Sequence, residues 1–426
     1  MTLKAPALMI MMALPVVAQT PGSYVLQNAR VVRVSGPVIE RGTVVIRDGL
    51  IDAVGENVAA PAGAWVIDCQ GLTVYPGLID ALSRWGLPSE SEGRGGPPAR
   101  GPEDRPLNAS WTKAADQIVP TDRVIQRVRD AGFTTAVVFP NGNIFSGQGS
   151  VIDLAGDRAG RMVVADSVGQ YVTLRTSGGR GFPASLLGSI AYVRQIYLDA
   201  DNYQAAKAIY EKHPQGLPRP AYDRALEGVL AAPLVLLPAE QEIEIARMLT
   251  LARDLKRKVV LYGGHEAGRG IDLLKQAQTP VLVSLKFPVK PRDADPAEEE
   301  PLRVLEFRDK APSAAGALAQ AGVKFAFYSD GVTNPKDLFR AVRKAVEAGL
   351  KADDATRAMT LAPAEIYGVA DRLGSIEKGK IANLVVADGD LFAEKTKVKY
   401  TFVDGAKFEP LAEEPAQRPA ARNSAR

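Results

Sequence analysis

Between residues 122 and 349 the chain repeats one pattern, a short apolar run followed by a helix-length stretch. The runs at 134–139, 234–237, 259–262, 281–285 and 323–328 read as strands. The stretches at 122–131, 240–256, 268–278, 311–321 and 337–349 read as helices. Strands that alternate with helices of this length imply a parallel sheet closed by crossover helices. At 426 residues the chain is too long for one small domain and suits one large barrel with a satellite. An α/β fold with a (β/α)8 TIM-like barrel fits, and an open doubly wound sheet is the alternative. No glycine fingerprint of the dinucleotide type follows any predicted strand, which weakens that alternative.

Both ends have a different texture. Segments 25–34, 42–46 and 51–55 are β-branched and separated by turns, with Asp48-Gly49 as a hairpin signal. Strands are expected again at 382–387 and 398–403, with a second turn at Asp404-Gly405. Two β-rich ends around a different middle predict one small β-sandwich built from both termini. The expected domains are a β-sandwich part at 19–75, a barrel at 76–366 and the second sandwich part at 367–410. Loops or lids are expected at 87–105 and 288–301, and a disordered tail at 411–426.

The first eighteen residues read as a signal peptide. Lys4 precedes an apolar run over 5–17, and Val16-Val17-Ala18 offers a cleavage site before Gln19. The run is shorter than a membrane span, so no span is expected after cleavage and the location is periplasmic or secreted. Cys69 is the single cysteine and reads as a buried small hydrophobe. The net charge of +3 is small and the basic residues are dispersed, so nothing points to nucleic acid.

Tyr75-Pro76-Gly77-Leu78-Ile79-Asp80 resembles the segment that opens the barrel of amidohydrolases. Ala131-Gly132-Phe133-Thr134-Thr135 is similar to their entry into an early strand, and Phe327-Tyr328-Ser329-Asp330-Gly331 to their last one. Met359-Thr360-Leu361-Ala362-Pro363-Ala364 resembles the helix that follows. The stretch from Leu373-Gly374-Ser375-Ile376-Glu377 to Asn383-Leu384-Val385-Val386 resembles the return to the β-domain, with Asn383 where the family usually has aspartate. The details lean toward the imidazolonepropionase-like and dipeptidase-like branches.

The resemblance implies a metal centre held by about four histidines, an aspartate and often a carboxylated lysine. In that family the opening segment leads into a His-X-His pair. Here Leu82 and Arg84 stand at those positions, and neither is a metal ligand. The whole chain has two histidines. His213 lies in a polar turn, and His265, followed by Glu266, lies just after a predicted strand. His265 is near a family ligand position, but that position aligns equally with Gly263. No metal site is therefore assigned. Asp330 matches the aspartate that binds metal and takes the proton of the attacking water; it reads equally as a turn residue before Gly331. The candidate pocket comprises Asp80, Leu82, Arg84, His265 and Glu266, with Asp330 as candidate catalytic group. Arg84 is expected to replace the cation's charge toward Asp330.

Neither Gly147-Gln148-Gly149-Ser150 nor Gly178-Gly179-Arg180-Gly181 makes a nucleophile elbow or a phosphate cradle. Two readings stay open. One is an exported, degenerate amidohydrolase that binds a small ligand, a peptide or a partner, as a homo-oligomer or with a complete paralogue. The other is a working hydrolase of carbon–nitrogen bonds with an atypical metal set, zinc being the implied ion.

Overall fold

Asp48 and Gly49 have φ of 50° and 79°, the positive pair that a type I′ hairpin requires. They join strands β2 (Ile39–Arg47) and β3 (Leu50–Gly55) with Arg47 opposite Leu50. Asp404 and Gly405 repeat the geometry, at 49° and 72°, between β15 (Val398–Val403) and β16 (Ala406–Phe408). These observations come from a computed structural model whose described residues are 22–88, 105–176, 181–291, 293, 295 and 299–411. The expected signal segment, the tail beyond Leu411, most of the 87–105 loop, part of the 288–301 loop and Gly178-Gly179-Arg180 lie outside them.

The end sheet is shared by the two termini. Strand β14 (Leu384–Ala387) runs antiparallel to β5 (Thr73–Pro76), with Leu384 opposite Pro76. β1 (Ser23–Val31) pairs with β2, β5 and the short β4 (Trp65–Asp68). All eight strands form one continuous hydrogen-bonded sheet, ordered β16-β15-β14-β5-β1-β2-β3 with β4 beside β1. Its core packs Leu26, Val44, Ile46, Val74, Leu384, Val386 and Phe402 around Cys69. Burial pushes the Cys69 thiol up to about 12, so it is an inert packing residue.

The second sheet has eight strands in chain order: β6 (Leu78–Ser83), β7 (Phe133–Val138), β8 (Phe145–Asp153), β9 (Val163–Val172), β10 (Val235–Ala239), β11 (Val259–Gly263), β12 (Val281–Ser284) and β13 (Phe325–Tyr328). Outside it lie α1 (Arg123–Asp130), α2 (Ala159–Met162), α3 (Leu186–Lys212), α4 (Arg224–Ala231), α5 (Glu242–Leu255), α6 (Ile271–Ala277), α7 (Leu302–Lys310), α8 (Ala314–Gln320) and α9 (Pro335–Glu347). After these come α10 (Ala352–Ala358) and α11 (Leu361–Ile366). One departure corrects the expected strict (β/α)8 alternation: β8 is antiparallel to both β7 and β9. The connection 139–144 holds no helix, and a connection that short can only return the strand antiparallel.

The sheet curls into a nearly closed barrel. A single buried cluster draws on every strand, including Leu82, Val137, Val151, Val168, Leu236, Val260, Leu282 and Ala326, and so marks the interior. Among the described residues no backbone ladder joins β6 to β13. That seam is closed instead by Ser329 N donating to Asp80 Oδ1 at 2.9 Å, Ile79 N to Met359 O at 2.7 Å and Tyr367 Oη to Ala81 O at 2.7 Å. No helix of the described residues is long and apolar enough to cross a membrane.

Candidate functional site

In barrels of this kind chemistry sits at the C-terminal ends of the strands. Here those ends bring together residues from β6, β9, β10, β11, β12 and β13. Asp80, on β6, is 1% exposed. Its Oδ1 accepts from Ser329 N and from Leu82 N at 3.4 Å, while Oδ2 and the neighbouring Ser329 Oγ are buried without a partner. Burial raises the Asp80 carboxyl to about 7, helped by the Asp330 charge and opposed by the bonds from Ser329 and Leu82.

Asp330 follows β13 and is exposed, with a φ of 49°. Positive φ is uncommon for a residue with a Cβ, so Asp330 turns the chain at the strand end. Its side chain also engages the mouth, because Ser284 Oγ donates to Asp330 Oδ2 at 2.9 Å. The turn position and the contact with Ser284 occur in the same residue.

Leu82, 6% exposed, packs inside the barrel. Arg84 lies half-buried at the end of β6, its Nη2 donating to Pro88 O at 3.1 Å. Its charge reaches the mouth: burial drives the Tyr171 hydroxyl up, Asp330 pushes the same way, and Arg84 pulls it down.

His265 is 3% exposed, just past β11. Its Nδ1 lies 2.9 Å from Glu240 Oε1 and its Nε2 3.2 Å from Ser284 O. The ring is flanked by Phe287 and Phe307 at 5.8 and 5.9 Å. A carbonyl only accepts, so Nε2 carries a proton, and the hydrogen bond from His265 holds the Glu240 carboxyl below its ordinary range. With both ring nitrogens engaged, neither is turned toward a metal. Glu266 is committed elsewhere, its Oε2 accepting from Glu242 N at 2.9 Å at the start of α5. His213 is the exposed C-cap of α3.

The sequence reading missed the aromatic layer between these groups. Phe139, Tyr171, Tyr262, Tyr328 and Tyr367 converge inside the barrel, with ring centroids of 5.6 Å for Phe139–Tyr171, 5.2 Å for Tyr171–Tyr262 and 6.1 Å for Phe139–Tyr367. Burial lifts the hydroxyls of Tyr262, Tyr328 and Tyr367 well above the ordinary tyrosine value, so they stay neutral. One signal was available: Tyr328 ends the expected strand 323–328, directly before the candidate segment Ser329-Asp330.

This donor set does not fit the metal centre that the fold implies. The histidine-pair positions offer a hydrocarbon and a cation, and the strands beside them offer neutral phenols. The one nearby imidazole is engaged at both nitrogens. Among the described residues, no group of three or more His, Cys, Asp or Glu side chains comes together in a way that could hold a metal ion.

Comparison with known proteins places this architecture. The model of the amidohydrolase family matches residues 200–407. The amidohydrolase tasK of Hapsidospora irregularis is 23% identical over 402 residues, covering 86% of this chain and 40% of that protein. A dihydroorotase of Geobacter sulfurreducens is 30% identical over 167 residues, covering 35% of this chain and 37% of its own. The chain thus spans well under half the length of these two relatives. The crystal structure of an amidohydrolase from Thermotoga maritima superposes with a TM-score of 0.74 at 25% identity, over 91% of this chain and 100% of that one. The last barrel strand and the C-terminal part of the end sheet lie within the matched residues, and the chain belongs to the amidohydrolase superfamily.

Proposed function

We propose that this protein is a non-catalytic member of its family that binds a small ligand or a protein partner on the amidohydrolase scaffold. The observation that carries this reading is the replacement of the ligand layer: Leu82 and Arg84 stand at the histidine-pair positions, and Tyr171, Tyr262 and Tyr328 fill the space between the strands. Enzyme-type metal sites keep an open coordination position lined by nitrogen and oxygen ligands, and that chemistry is missing from these side chains. We further propose that the protein is exported, on the strength of Lys4, the apolar run over 5–17 and the small residues before Gln19.

The test is elemental analysis of the purified protein after loading with zinc or manganese and gel filtration, together with a screen of cyclic amides and dipeptides. Less than a tenth of an equivalent of metal and no turnover are expected. One equivalent of retained metal, or hydrolysis lost in Asp330→Asn, overturns the reading. N-terminal sequencing of the mature chain checks export, with Gln19 as the expected first residue.

A second reading rests on one specific observation. Burial, with the Asp330 charge adding to it, pushes the Asp80 carboxyl up to about 7, a value suited to proton transfer at neutral pH. It supports a hydrolase of carbon–nitrogen bonds in which Asp330 and Asp80 handle protons, with zinc as the ion if a metal takes part. Turnover that follows a single ionisation near neutral pH and disappears in Asp80→Asn separates this reading from the first.

A further inference from the structure

Helix α3 has 27 residues, about 40 Å of helix at 1.5 Å per residue. Its inner face buries Ser189, Tyr192, Val193, Ile196, Tyr197 and Ala200. The opposite face carries a straight stripe of Leu187, Ala191, Arg194, Leu198, Asn202, Ala205 and Ile209. The steps between them are three or four residues throughout, the spacing of a helix–helix seam. Leu187 is 76% exposed, Leu198 54% and Ile209 56%, and Ala191, Asn202 and Ala205 are exposed as well. Large aliphatic residues aligned in this way along an outer helix mark an interaction surface more than scattered surface leucines do.

The stripe is self-complementary. When a second α3 is laid antiparallel about Leu198, Leu198 meets itself, Ala191 meets Ala205 and Leu187 meets Ile209. The one cation of the stripe, Arg194, comes beside Asp201 of the second copy. Within one chain Arg194 already pairs with Asp254 and Asp201 with Arg257, all at the surface, so the cross-pairing joins two existing ion pairs into a network. Leu187 also borders a cleft of about 580 Å³ between α3 and α5, lined by Ile190, Ala246 and Met248, into which Ile209 of the second copy can seat. Such reciprocity is what a two-fold interface demands, since each residue must meet the surface its own copy presents.

We propose that α3 is the dimerisation helix of this protein, pairing antiparallel with α3 of a second copy about Leu198. The inference is independent of whether the barrel is catalytic. A seam of one helix pair is at the small end of specific interfaces.

Sedimentation equilibrium of the full chain from about 1 to 100 µM tests the proposal. The expected result is a monomer–dimer equilibrium that shifts at least tenfold toward monomer in Leu198→Glu, with an unchanged far-ultraviolet spectrum. Cysteine crosslinking fixes the geometry. Leu198→Cys should form a symmetric disulfide on mild oxidation. Leu187→Cys and Ile209→Cys should crosslink only when the two variants are mixed. A monomer at 100 µM, or a Leu198→Cys variant that crosslinks no faster than Leu217→Cys on the exposed loop beyond α3, overturns the proposal. Self-crosslinking of Leu187→Cys alone also overturns it, because that result requires a parallel arrangement.

Discussion

Two buried aspartates govern how this molecule responds to pH. Asp80 and Asp153 are both raised from the ordinary 3.8 to about 7, chiefly by burial. In the unfolded chain they titrate near the ordinary value, so between about pH 4 and 7 the folded state holds protons that the unfolded state has released. Their contribution to stability therefore falls as pH rises through that window and levels off above it. Asp80→Asn keeps an oxygen for Ser329 N and leaves no carboxyl to ionise in the buried site. This variant should be more stable than the parent at about pH 8, by up to about 4 kcal/mol, and no more stable at about pH 4. Urea unfolding at the two pH values decides it; equal gains at both remove the titration from the explanation. Asp153 explains the departure at Asn383. Asn383 Nδ2 donates to Asp153 Oδ1 at 2.6 Å and to Thr135 Oγ1 at 3.0 Å, while its Oδ1 accepts from Asp404 N at 2.8 Å. An aspartate at 383 cannot donate to Asp153 and sets two carboxyls against each other. Asn383→Asp should cost roughly 3 kcal/mol at about pH 8, and less as pH falls. The exchanged pair Asn383→Asp with Asp153→Asn should recover most of the loss in a double-mutant cycle.

At the scale of elements, the legible parts were those whose local signals agree with their tertiary setting. α1 starts one residue after Asp122, whose Oδ1 caps Val124 N at 2.9 Å, and α5 and α9 fall within two residues of the expected bounds. Strands β8 and β9 gave no such signal. β8 reads Phe-Ser-Gly-Gln-Gly-Ser-Val-Ile-Asp, and glycine and polar residues weigh against a strand unless packing overrides them. Packing does so here, because a Cβ on Gly149 would lie 2.1 Å from a ring carbon of Phe139. Gly149→Ala should therefore destabilise the barrel by about 2 kcal/mol or more. Shrinking the opposing ring with Phe139→Leu should recover part of that, as read from thermal unfolding of the three variants. Without β9 the sequence could not reveal Tyr171, and without Tyr171 the aromatic layer stayed hidden, although the absence of a His-X-His pair after Asp80 was plain. Glu266 shows the same limit in reverse. Beside His265 it reads as a pocket residue, yet its carboxylate serves the first turn of α5, where negative charge meets the positive end of the helix. Glu266→Ala should cost about 1 kcal/mol with no change in any ligand binding at the mouth, a pairing of results that calorimetry and titration can check together.

For the whole molecule the question is whether, on the proposed reading, two positions or the whole interior keep a metal ion out. If only Leu82 and Arg84 stood in the way, Leu82→His with Arg84→His would put a histidine pair at the C-terminal end of β6. The rest of the barrel argues against recovery. Tyr171, Tyr262 and Tyr328 occupy the interior from β9, β11 and β13 with hydroxyls held neutral by burial, and neutral phenols are poor ligands. His265 is clamped between Glu240 and Ser284 O, so recruiting it requires breaking two hydrogen bonds in a buried setting. Asp80 is tied to the seam through Ser329 N, and moving it toward an ion loosens the junction of β6 and β13, which has no ladder of its own. The double variant should therefore fold and bind less than a tenth of an equivalent of zinc, measured by elemental analysis after dialysis. Adding Tyr171→Ala, Tyr262→His and Tyr328→Ala should raise zinc retention only together with a fall in melting temperature, because the same side chains that exclude the ion fill the barrel. Stoichiometric zinc in the double variant alone would mean that the aromatic layer yields easily. The scaffold would then stand two substitutions from a metal centre.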